Sequence, residues 1–214
     1  MKNLLSLLLV LSLFSLQSAA QAKFGLRLGG SFATWSSDIE DLPLAEIEGM
    51  TAAHFGPYVQ FPLSEKFALE PAILGSVKGA SVYIFETEID DEDIFTYEET
   101  SDIYLFYIDI PVLLRFYVIE GFNIYAGPQL SFHITNVAEV EYEECFNDMC
   151  FSDDEDDDVE VTGTDFAAVA GIGYDFPFGL NINVGYDFGL SDIDDTGTFE
   201  TTNEVLKVSL GWTF

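Results

Sequence analysis

Bases are scarce in this 214-residue chain: 7 Lys and Arg stand against 38 Asp and Glu, for a formal net charge of −31. Binding of nucleic acid is excluded, because phosphate recognition needs clustered cations. Histidine is scarcer still. His54 and His133 are the only two, which leaves His-centred catalysis little to build on. Cysteine is limited to Cys145 and Cys150. Beyond the N-terminal segment no uninterrupted apolar run reaches 18 residues, so no spanning helix is expected there. What the chain does not lack is apolar surface. Hydrophobic residues make up 49% of it and aromatics 15%, so the acidity does not signal disorder. Charge and apolar surface must instead be segregated.

The N-terminus has the layout of a secretory signal peptide. A short basic start, Met1-Lys2-Asn3, precedes an apolar run from Leu4 to Leu16 and the small residues of Gln17 to Ala22. Residues 1–22 are therefore expected to be removed, with cleavage after Ala20 or Ala22, leaving 23–214 as a single domain. The run is too short for a membrane anchor. In an exported chain, two cysteines five residues apart point to a disulfide.

The mature part alternates with period two. In 180–190 (LNINVGYDFGL) Leu180, Ile182, Val184, Tyr186, Phe188 and Leu190 share one face, opposite asparagines, glycines and Asp187. In 204–214 (EVLKVSLGWTF) Leu206, Val208, Leu210, Trp212 and Phe214 do the same. Such alternation marks strands. It recurs over 23–34, 51–63, 67–78, 103–118, 122–134 and 164–176, for eight strands in all. Tight connections follow strands 2, 4 and 6, at 64–66, 120–121 and 177–179. Long ones follow strands 1, 3, 5 and 7, at 35–50, 79–102, 135–163 and 191–203. Short turns at one end and long loops at the other are the layout of an outer-membrane barrel. With Glu204 at the border, the four long segments hold 31 of the 38 acids. The stretch CFNDMCFSDDEDDD, with the run Asp153, Asp154, Glu155, Asp156, Asp157 and Asp158, falls near the tip of the third, where water and an oxidising exterior suit both acids and a disulfide.

Alternation alone does not say which face is outside. A soluble barrel would carry Lys, Glu and Thr on its polar face. Here that face is mostly Gly, Asn and Ser, which suits a cramped lumen. The other face is bulky, with Phe24, Phe122, Phe176, Trp212 and Phe214 near one end, like an interfacial girdle. The expected fold is all-β: an eight-stranded antiparallel up-and-down transmembrane β-barrel with short periplasmic turns and long acidic extracellular loops. It is expected to lie in outer-membrane lipid of a Gram-negative cell and to engage the assembly machinery through its C-terminal aromatic strand. Pro57, Pro71, Pro111 and Pro128 fall inside proposed strands, where the missing donor predicts bulges or breaks.

FGLRLGGSF (24–32), YIDIPVLLRFY (107–117), YAGPQLSF (125–132), GIGYDF (171–176) and LGWTF (210–214) together resemble the PorT-like outer-membrane β-barrel family common in Bacteroidetes. The resemblance spans nearly the whole mature chain and implies an eight-stranded barrel. It implies no single activity; PorT itself is linked to protein secretion across the outer membrane. The chain departs from the family mainly in its acidic loops.

The alternation turns Arg27, Glu70, Asp109, Arg115, Asp187 and Lys207 inward, with Glu70 near Arg115 and Asp187 near Lys207. Charges in a low-dielectric interior must pair, so these six are expected to form a lumen ion-pair network. No catalytic, cofactor or metal site is assigned. His54 and His133 point inward towards the loop end, on strands too far apart to cooperate. The acidic loops suit divalent cations or a basic partner, but Asp153–Asp158 lacks the Gly-kinked spacing of a dedicated calcium loop. The leading reading is a non-enzymatic, porin-like barrel with a plugged interior and acidic loops for recognition or surface charge. The alternative is a narrow cation-preferring channel, or an accessory of an outer-membrane transport or secretion assembly. A rim enzyme using His54 or His133 is the third class.

Overall fold

The computed structural model describes residues 22–37, 45–90, 93–146, 149–157, 161–196 and 200–214, without side chains at 88–90, 93–94 and 154–157. The expected signal peptide and Asp158 lie outside the described residues.

Eleven strands are formed among the described residues. They are β1 (Lys23–Ser37), β2 (Ala45–Glu48), β3 (Met50–Pro62), β4 (Phe67–Pro71), β5 (Leu74–Asp90) and β6 (Asp93–Tyr117). They continue with β7 (Phe122–Phe146), β8 (Met149–Asp157), β9 (Thr164–Asp175), β10 (Leu180–Gly189) and β11 (Thr201–Thr213). All pairings are antiparallel. The ring runs β1, β3, β4 with β5, β6, β7, β9, β10, β11 and returns to β1. The closing seam, β1 on β11, is paired continuously from Gly25↔Thr213 to Ser37↔Thr201.

The eleven segments depart from the expected eight for local reasons. β4 and β5 are one stave against β6, in the same register from Phe67↔Phe116 through Pro71↔Val112 to Leu74↔Asp109 and beyond. They separate at Ala72 and Ile73, beside Pro71. Pairing of β6 with β7 also lapses between Pro111↔Gln129 and Leu114↔Ala126, next to Pro111 and Pro128, and resumes in register. At Pro57 the ladder continues, with Leu26 opposite. The one register shift in that ladder is not at a proline. Phe106 pairs with Thr135 and Tyr107 with His133, so Ile134 is a bulged residue.

The larger correction concerns the segments expected to be loops. Residues 79–102 and 135–163 largely continue the staves. β5 and β6 stay paired out to Asp90↔Asp93, and β6 and β7 out to Phe95↔Phe146. β8 adds to β7, and β2 to β5. β6 has 25 residues, roughly 80 Å of strand at about 3.3 Å each, whereas the apolar band of such barrels is only about 25 Å tall. The excess projects as a sheet beyond the rim. Cys145 and Cys150 sit directly opposite each other at the β7–β8 end and are joined by a disulfide.

Burial is inverted relative to a water-soluble protein. Asp109 and Arg115 are 0% exposed, whereas Leu28 is 65% and Phe55 71% exposed. Inward positions are polar and outward ones apolar, so lipid is the solvent of the outer face. Aromatics gather at the turn end, where Phe176 and Phe178 lie 5.3 Å apart and Phe178 and Trp212 6.3 Å. A second group, Phe106, Phe132, Phe166 and Phe188, marks the other margin of the band.

Two kinds of glycine are required here. Gly179, at φ 103°, makes the turn between β9 and β10 in a conformation that L side chains rarely adopt. Gly171 leaves room for Tyr125: a Cβ there would fall on the tyrosine ring and hydroxyl and on the Val184 carbonyl. Gly171→Val is expected to lower unfolding stability by about 1–3 kcal/mol through overpacking. Gly30→Val, where nothing lies within 4 Å of the new Cβ, should change it by less than about 0.5 kcal/mol. Urea unfolding of barrels refolded into liposomes reads both.

Candidate functional site

The inward side chains fill the lumen in layers. Nearest the turn end, Glu70 on β4 joins two arginines. Arg27 Nη2 donates to its Oε1 at 2.8 Å. Arg115 approaches both oxygens, Nη2 to Oε1 at 2.8 Å and Nε to Oε2 at 2.7 Å, the planar fork geometry that favours Arg over Lys. The other Arg115 nitrogen, Nη1, donates to Asn123 and Asn183 Oδ1 at 2.7 and 2.9 Å. Each guanidinium stacks on a tyrosine ring at 4.7 Å from the centroid, Arg27 over Tyr58 and Arg115 over Tyr125.

The next layer is built on lysines. Lys207 Nζ donates to Asp109 Oδ2 at 3.0 Å and to Asp187 Oδ2 at 2.5 Å. Ser76 and Gln129 donate to the same two carboxylates at 2.8 and 3.0 Å. Lys78 lies 3.4 Å from Asp109, 2.9 Å from Asp165 and 3.0 Å from Ser131 Oγ. Asn203 and Ser191 complete the shell of Asp165 at 3.0 and 2.9 Å. Four cations and four carboxylates thus face one another, so the lumen carries no net formal charge. The −31 of the chain lies elsewhere.

Above the lysines the character changes. Ile103, Leu105, Tyr107, Ala138 and Ile193 form a buried apolar cluster, with Trp35 and Val161 against it. Ile193 comes from the β10–β11 connection, so that segment caps the mouth. Below the arginines the turn end opens into a vestibule of about 830 Å³, lined in part by Lys23, Gln60, Tyr117 and Asp175. Between the layers a void of about 30 Å³ remains beside His54 and Lys207, space for about one water.

The six residues singled out from the sequence fall into two groups. Arg27, Glu70 and Arg115 are brought together, as are Asp109, Asp187 and Lys207. Sequence reasoning missed Lys78 and Asp165. Lys78 shares the parity of Glu70 but ends the expected strand, and Asp165 meets it from 87 residues away in sequence.

The histidines are far apart in role. His54 is buried at mid-lumen with Nδ1 2.8 Å from Ser31 Oγ and Nε2 2.7 Å from Ser209 Oγ. Both ring nitrogens are engaged by serine hydroxyls and the side chain is buried. His133 lies edge-on to Tyr107, at 5.4 Å between centroids. Among the described side chains the one cluster with metal-ligating atoms is Glu143, Cys145 and Cys150. Its two sulfurs are spent in the disulfide. On the projecting sheet, a hydrogen bond to Glu99, lost solvation and nearby carboxylates hold the Tyr97 phenol up to about 12.

A closed antiparallel ring with lipid-compatible flanks and a packed polar interior defines a transmembrane β-barrel. The chain belongs to the outer membrane protein beta-barrel domain family, whose model matches residues 17–195. It is a protein of the Gram-negative outer membrane. The sequence matches no curated protein. Among solved structures it is similar to Neisserial surface protein A, at 11% identity over 90% of this chain and 99% of that one, with a TM-score of 0.49. Ail of Yersinia pestis matches at 10% over 90% and 99%, TM-score 0.44. OprG of Pseudomonas aeruginosa matches at 12% over 90% and 96%, TM-score 0.41.

The arginine layer is expected to be cooperative. Glu70→Gln leaves two guanidinium groups without their counter-charge and should cost about 3–5 kcal/mol. Replacing all three residues together, Arg27→Met, Glu70→Leu and Arg115→Met, should recover most of that loss. Denaturant midpoints in liposomes check both; equal midpoints for wild type and Glu70→Gln would remove the layer from any account of stability.

Proposed function

We propose that the protein is a non-enzymatic outer-membrane scaffold: a plugged barrel that presents an acidic extracellular sheet for recognition or surface charge. The observation that carries this reading is closure in series. The arginine layer, the lysine layer and the buried apolar cluster with Ile193 follow one another along the lumen. A narrow ring offers ions no wide path once its side chains pack. The outward-projecting strands, by contrast, are long and heavily acidic.

In this reading residues 1–22 direct export, and the strand ending at Phe214 is read by the assembly machinery. Divalent cations gather diffusely at the carboxylates. The PorT-like motifs and the turn-end vestibule favour a second role, as an accessory of a transport or secretion assembly reached from the periplasm.

Refolded protein in a planar bilayer under a KCl gradient is expected to stay electrically silent while heat-modifiable gel mobility shows it folded. Steady cation-selective steps would instead make the lumen the working part and the barrel a narrow channel.

A further inference from the structure

The projecting sheet has two chemically different faces. On β6 the odd residues point to the barrel axis, as Arg115, Asp109 and Leu105 do, and Tyr97 and Phe95 continue that row. On β7 the inward residues are odd up to His133. The bulge at Ile134 then reverses the parity, and Ala138 packs inward with Ile103 and Leu105. Beyond it, Val140, Tyr142, Glu144 and Phe146 follow on the axis side, while Glu139, Glu141 and Glu143 take the outer side. Without that one extra residue the glutamates would face the axis.

The cross-strand register extends the row. Phe95 pairs with Phe146, and Phe146 with Met149; Tyr97 pairs with Glu144, and Glu144 with Phe151. These apolar side chains stand in water. Phe146 is 48%, Met149 61% and Phe151 72% exposed, an unusual cost for a surface beyond the membrane. Lipid is not what covers them, because this face looks over the barrel mouth and not towards the bilayer.

Charge selects among the remaining occupants. Glu99 and Glu144 stand among the aromatics. Every Lys and Arg of residues 23–214 lies in the lumen or at the turn end: Lys23, Arg27, Lys66, Lys78, Arg115 and Lys207. The extracellular part therefore has no base with which to meet a second copy of itself, and two such faces repel. We propose that the axis-side face of this sheet docks a cationic amphipathic polypeptide, with apolar side chains seated on Phe146, Met149 and Phe151 and Lys or Arg paired with Glu99 and Glu144. This rests on the recognition-scaffold reading and assigns it a face and a partner class.

The test uses the full mature chain in phosphatidylcholine nanodiscs, with a synthetic Lys/Leu amphipathic peptide as probe and empty nanodiscs as blank. Binding is followed by fluorescence anisotropy across a salt series. Phe146→Ser with Phe151→Ser is expected to weaken binding at least about ten-fold at every salt concentration. Glu99→Gln with Glu144→Gln should weaken it and flatten its salt dependence. Neutralising the outer face, with Glu139→Gln, Glu141→Gln and Glu143→Gln, should change it less than about three-fold. Heat-modifiable mobility verifies that each variant folds. Equal losses from both charge sets with none from the phenylalanines would overturn the docking face and leave a diffuse acidic scaffold standing. No saturable binding to wild type at low salt would overturn the proposed partner class, while bilayer conductance tests the plugged barrel independently.

Discussion

Closure of the sheet is the constraint from which the rest follows. Hydrocarbon offers no water to unpaired N–H and C=O groups, so a sheet in the membrane can have no open edge. The β1–β11 seam meets that demand along its whole length. Closing a ring of so few staves fixes a narrow interior. Inward charges then have neither room for a full hydration shell nor distance from one another, and each must find a counter-charge. Glu70 shared by two arginines, and Lys207 shared by two aspartates, are the consequence.

A neutral lumen has a corollary for the outside. The few bases are used in the interior or lie at the turn end, and the acids are left with no cation of the same chain beyond the rim. Such a surface is stable only in water and salt, where repulsion is screened. The edge strands β2 and β8 are short and rich in Glu and Asp, a common protection against edge-to-edge association. The disulfide closes the tip where β7 turns into β8, limiting the freedom of a hairpin far from the supporting barrel.

The projecting sheet makes the outer part more than a set of loops. A ladder that continues from the membrane inherits the barrel's facing rule, and one bulge changes that rule on one strand. The aromatic row over the mouth and the glutamates on the outer side depend on this shift in register.

Much of this was legible in the residues. Period two over 180–190 and 204–214 identifies strands, the Gly, Asn and Ser of the polar face point to a cramped interior, and the acids concentrate in alternate connections. Those are local properties, and a strand's facing is set by its own backbone. The alternation of Ala138-Glu139-Val140-Glu141-Tyr142 was equally visible, but so many acids in one segment concealed it as a loop. Only the tertiary structure decided further partners, Arg27 with Glu70 and Lys78 with Asp109 and Asp165. Lys78 reaches Asp165, 87 residues away in sequence, because the stagger of eight staves brings the two to one height. The bulge at Ile134 was likewise invisible, since an extra residue is defined only against the strand it pairs with. Sequence by itself determined the class of the protein, its compartment and which face of each strand turns inward; pairing across the ring decided the contacts of the lumen and the two faces of the sheet.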